Sequence, residues 1–190
     1  MTVARDVLDF WFGAPDSSEY GAPRDMWFRK SDATDAAIRA RFAADVEAAL
    51  AGERREWASG PRDTLAVVLL LDQFTRNIFR DTARAFAGDA QALQLARELV
   101  DRGADRLLIP VERWFVYLPF EHSESLPMQD ESLRLYRQLA AAGHPDALVW
   151  AQKHYDVIAR FGRFPHRNQS LGRESSAEEL AFLAQPGSRF

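Results

Sequence analysis

The segment Leu65-Ala-Val-Val-Leu-Leu-Leu-Asp-Gln-Phe-Thr-Arg-Asn-Ile-Phe-Arg80 constrains this chain more than any other. Its first half, Leu65–Leu71, is apolar on every side of a helix, so it must be surrounded by other elements. It is far shorter than the roughly 20 residues a membrane span needs, and Asp72 closes it. Pro61 suits the first position of this helix, which the pattern carries to about Phe79. Beyond Leu71 the character changes. Asp72, Arg76 and Arg80 recur every fourth residue, with Gln73 and Asn77 on the adjoining stripe, while Phe74, Ile78 and Phe79 keep the other side apolar. A buried helix with one polar face meets either solvent or a wet internal pocket.

The other elements read as helices around this one. Val3–Phe12 carries apolar residues at helical spacing and stops at Gly13. Ser31 or Asp32 caps a second helix with Ile38, Phe42, Val46 and Leu50 on one stripe. Further helices are expected over 89–100, over 112–118 ending at Pro119, over 130–142, and from Asp146 to about Phe161. Ser175 or Ser176 followed by Glu178 and Glu179 forms a capping box for a last helix over 177–184. No strict alternation suggests a strand. The fold class is therefore all-α, a single domain over 1–190 of stacked antiparallel helical hairpins.

Composition removes several function classes. With 24 basic and 28 acidic residues the net charge is −4, which argues against nucleic acid as a partner. There is no cysteine, so thiolate metal sites and cysteine nucleophiles are excluded. The N-terminus lacks the pattern of a secretory signal, and together with the missing cysteines this fits a cytoplasmic protein without membrane attachment.

Two further segments carry polar chemistry. The first, Trp114-Phe-Val-Tyr-Leu-Pro-Phe-Glu-His-Ser-Glu124, delivers Glu121, His122, Ser123 and Glu124 after an aromatic helix. A histidine flanked by carboxylates suits acid–base work. The second contains His154 on a helical stripe, then Arg160, Arg163, His166, Arg167, Asn168 and Arg173 among phenylalanines. Guanidinium groups grip carboxylate or phosphate bidentately, and arginine at all four places favours such pairing. The candidate catalytic residues are thus His122, Glu124 and His154. The candidate ligand-binding residues are Asp72, Gln73, Arg76, Asn77, Arg80, Arg160, Arg163, His166, Arg167, Asn168 and Arg173. No metal-binding spacing such as HExxH is present, and no cofactor motif appears.

Three readings stand. One is a binding protein for a small anionic molecule or peptide carboxylate in an Arg/His-lined pocket. Another is an enzyme using histidine acid–base chemistry on a small phosphorylated or carboxylated substrate. In the third, the polar cluster is purely structural and the surface does the work, as in a homodimer or another protein–protein contact.

Leu71-Asp-Gln-Phe-Thr-Arg-Asn-Ile-Phe-Arg80, Leu118-Pro-Phe-Glu-His-Ser-Glu124 and Arg160-Phe-Gly-Arg-Phe-Pro-His-Arg-Asn168, with Leu8-Asp-Phe-Trp-Phe-Gly13, resemble the signature of a bacterial family known as domain of unknown function 924. The resemblance covers nearly the whole chain. It implies a single all-α domain similar to tetratricopeptide-like stacks, and it implies no particular reaction. Thr75 stands where that family commonly has proline, which predicts a straighter helix here. Ser125 stands where an acidic residue is usual.

Overall fold

The computed structural model describes residues 3–188. Among them there are eight α-helices and no strand, as the helical periodicity requires. Helices α1 (Ala4–Phe12) and α2 (Asp32–Leu50) both pack on α3. Helix α3 begins as Pro61–Leu69, passes through a π turn at Leu70–Phe74 and ends as Thr75–Ile78. Four more follow in close succession: α4 (Asp89–Asp101), α5 (Pro110–Glu121), α6 (Leu126–Ala141) and α7 (Pro145–Phe161). Each packs on the helix before it, and α5 also touches α7. A short α8 (Ala177–Leu183) sits against the turn at Pro165–Arg167.

The apolar half of α3 is the centre of the protein. Residues 65–71 are all buried, and α1, α2, α4 and α5 surround them. Aromatic side chains fill one end. Phe74 meets Trp11 and Phe42 at ring separations of 5.3 and 5.2 Å, and Phe115 meets Trp11, Phe12 and Trp27 at 5.6, 5.4 and 4.9 Å. Trp11 and Trp27 are therefore core residues. The Trp27 indole N–H donates to the Trp11 carbonyl at 2.8 Å.

Local signals explain most helix ends. The Ser31 hydroxyl caps α2 by accepting from the Thr34 N–H, and Ser176 with Glu179 forms the capping box of α8. One expectation changes. Helix α5 does not stop at Pro119 but runs on to Glu121. A proline in the last turn forfeits only one backbone hydrogen bond. The Gln129 amide then takes up the free carbonyls of Glu121 and Ser123 at 2.7 and 2.8 Å. Around Thr75 helix α3 is not regular α-helix throughout. The π turn lies immediately before it, and the Thr75 hydroxyl donates back to the Leu71 carbonyl at 2.7 Å.

Candidate functional site

The π turn aims Asp72 inward, away from solvent. Its carboxylate is fully buried, and one oxygen accepts from His122 Nδ1 at 2.7 Å and faces Arg76 at 3.3 Å. The other oxygen accepts from the Gln73 amide. Burial alone would raise the Asp72 pKa, but Arg76, His122 and Gln73 outweigh it and hold the carboxyl ionised, well below its usual range. An ionised carboxylate only accepts, so the His122 proton sits on Nδ1. Nε2 is then the basic nitrogen. It accepts no hydrogen bond from the described residues, and the His122 side chain is 14% exposed.

His122 caps the end of α5, and its neighbour Glu121 faces α7. Glu121 Oε1 lies 3.0 Å from His154 Nδ1, which also lies 2.9 Å from the Trp150 carbonyl. Both partners accept, so His154 too carries its proton on Nδ1. The rings of His122 and His154 are 6.1 Å apart. His154 packs edge-on to Phe164 at 5.5 Å, and Phe164 lies 5.6 Å from His166. Three of the four histidines thus converge on one corner.

Arginines complete the corner. Arg76 grips Asp89 with two hydrogen bonds of 2.9 and 3.1 Å, and Arg167 reaches the same carboxylate at 3.2 Å. Asp89 opens α4, a favourable place for a carboxylate. The Arg167 guanidinium lies between the rings of Phe86 and Phe164, 4.8 and 4.5 Å from their centres. Burial and then Arg76 push the Arg167 pKa down to about 10, against the pull of Asp89, Glu124 and Asp72. Burial, Arg167, His154, Arg76 and His122 push His166 down to about 3. His122 is also lowered: burial, Arg76 and Arg167 outweigh Asp72. Both imidazoles are neutral at neutral pH.

The remaining anticipated residues lie in two other places. Asn77 and Arg80 turn to α2 and bind Asp35, at 2.7 Å and at 2.9 and 2.8 Å. Arg160 pairs with Glu178, and Arg163 with Glu179, on the α8 side. Asn168 and Arg173 bind one another. Arg173 also forks onto Glu124, and Glu124 accepts the Phe164 N–H at 2.8 Å. Sequence reasoning left Asp89, Glu121, Phe86 and Phe164 out of the site. An acidic residue opening a helix after Arg84-Ala-Phe86 was the available signal for Asp89.

Two cavities lie away from this corner. A cavity of about 410 Å³ is lined by residues of the α1–α2 loop, among them Ser18, Arg24 and Met26. One of about 50 Å³ lies between α2 and α4 near Gln91. Neither includes a residue of the histidine corner. Among the described residues no cluster of three or more His, Asp or Glu side chains is arranged to hold a metal ion, and no helix is long and apolar enough to cross a membrane.

Residues 7–187 match the model of the family described as bacterial protein of unknown function (DUF924). A solved structure, that of the protein of unknown function ATU0120 from Agrobacterium tumefaciens, is similar with a TM-score of 0.84. The two share 39% identity over 95% of this chain and 96% of that one. No curated protein matches.

Proposed function

The chain belongs to the DUF924 family of bacterial proteins of unknown function, and on that footing we propose that it binds a small phosphate- or carboxylate-bearing ligand at the corner of Arg76, His122, His166 and Arg167. Arg167 carries this reading. Its side chain is only 7% exposed, yet it shares one carboxylate, Asp89, with Arg76. Its Nε is buried without a hydrogen-bond partner among the described residues. A buried N–H left unpaired costs about 1–3 kcal/mol. An incoming anion would satisfy it and offset the burial and the Arg76 charge that lower the Arg167 pKa. Asp89 and Arg76, 23% and 20% exposed, leave the corner within reach of solvent. In this reading the successive hairpins of α3 to α7 form a tetratricopeptide-like scaffold around the ligand.

A narrower structural role fits the other arginines. Arg160, Arg163 and Arg173 each hold a carboxylate. With Asn168 they tie the C-terminal segment to the helices, and they fall outside the proposed ligand set.

Calorimetric titration of the full chain with inorganic phosphate, sulfate and acetate tests the proposal. Saturable binding is expected in the wild type and in Arg163→Gln, with loss in Arg167→Gln and partial retention in Arg167→Lys. No saturable binding by any of the three anions would overturn it.

A further inference from the structure

We infer that His122 accepts a phosphoryl group on Nε2 from a small nitrogen- or oxygen-linked phosphoryl donor, forming a phosphohistidine. The inference rests on the anion site proposed above and assigns the chemistry that follows binding.

Four observations point to this atom. First, the imidazole is fixed. The buried Asp72 carboxylate holds Nδ1–H at 2.7 Å, which leaves the Nε2 lone pair as the nucleophile. Second, the His122 side chain is 14% exposed, and its Nε2 takes no hydrogen bond among the described residues. Third, no hydroxyl among the described residues lies within hydrogen-bond distance of Nε2. A histidine serving as base for a serine or threonine of this chain would have that hydroxyl beside it. Fourth, Arg76 stands against the same Asp72 oxygen that His122 uses, and Arg167 shares the Asp89 carboxylate with Arg76. Guanidinium groups so placed suit the three oxygens of a phosphoryl group. The neighbouring His154 is buried between Glu121, the Trp150 carbonyl and Phe164, so an incoming group reaches His122 first.

With phosphoramidate protonated on its nitrogen as donor the step balances. The Nε2 lone pair forms a bond to phosphorus, the phosphorus–nitrogen bond breaks, and ammonia leaves with that bond's electron pair. The ring becomes a phosphoimidazolium, its Nδ1 proton still held by Asp72, whose negative charge offsets the new positive one. Nothing is oxidised or reduced.

The test is to incubate the full chain with potassium phosphoramidate at neutral pH and measure intact mass, with peptide mapping and phosphorus NMR. One acid-labile phosphoryl group on His122 is expected. It should be absent in His122→Gln, unchanged in His144→Gln, and formed roughly 100-fold more slowly in Arg167→Gln. Circular dichroism establishes that each variant is folded, and the mapped wild-type peptide decides the matter even if His122→Gln is not. Labelling spread equally over His122 and His144, or consumption of phosphoramidate with no labelled protein, would overturn the inference. So would no labelling in a protein that still binds inorganic phosphate, which leaves the anion site standing. No labelling together with no phosphate binding would sink both.

Discussion

Gly88 lies so close to the Leu71 carbonyl that a side chain there would overlap it: an added Cβ would collide with the oxygen and stand 2.9 Å from the Leu71 carbonyl carbon and Cα. The backbone of Gly88, at φ −90°, is open to any residue, so contact rather than conformation demands glycine. Helix α4 is thereby pressed onto the π turn of α3, which sets Asp89 against Arg76.

Gly88→Ala should therefore destabilise the protein by about 3 kcal/mol, the upper end for overpacking, because both partners are backbone and cannot rotate away. Urea denaturation measures it. A loss below about 1 kcal/mol would mean that α4 slides freely on α3.

Asp72→Asn should cost about 3–5 kcal/mol, as expected when one member of a buried charged set is removed. Asp72 is also the group that raises the His122 pKa. In the variant that pKa falls further, and nitrogen NMR should show the proton no longer confined to Nδ1. An unchanged tautomer would show that the carboxylate does not orient the ring.

Acid should destabilise the fold in two stages. His122 and His166 have folded pKa values below the unfolded value near 6.5, that of His166 at about 3. Above 6.5 both states are neutral and the contribution is complete. Below it, the unfolded chain binds protons that the folded chain refuses, at about 1.4 kcal/mol per pH unit for His166, with His122 adding in the same direction. Asp72, Glu121 and Glu124 are lowered as well, so their contribution is lost at still lower pH. The Tm should fall from pH 6.5 to 4.5 and more steeply below. His166→Gln should flatten the first stage, and an unaltered profile would contradict its burial as a neutral ring.

The C-terminal attachment should be governed by Glu179, not by the exposed arginine pairs. Arg160 and Glu178 are 50% and 63% exposed, and Arg160→Ala should cost less than about 1 kcal/mol. Glu179 is buried, accepts from Arg163, and closes the α8 capping box through the Ser176 N–H. Glu179→Ala should cost about 2 kcal/mol and speed amide exchange over residues 165–183 while α3 stays protected. Uniform loss of protection would show that α8 is not a separate unit.

The central helix was legible because seven apolar residues in a row leave a helix nowhere to be but inside. The caps at Ser31 and Ser176 were legible because capping is local. The π turn was not, since nothing in Leu70–Phe74 distinguishes it from regular helix. The fourfold spacing of Asp72, Arg76 and Arg80 suggested a single face, yet Arg80 turns to Asp35 on α2 while Asp72 and Arg76 face the histidines. That division depends on which helices flank α3, and sequence spacing along α3 carries no such information. The convergence of His122, His154 and His166 depends in the same way on how α5, α7 and the loop after α7 come together.

Arg167 closes onto Asp89 across 78 residues of sequence. On a ribosome, α3, α4 and the Arg76–Asp89 pair emerge well before Arg167 has been synthesised, and domains take shape in that order. A chain that stops short of Phe164 lacks both that ring and the second arginine on Asp89. A nascent chain arrested before Phe164 would present this open form. Probing it for anion capture would reveal whether the last stretch of translation completes the binding corner or shuts it.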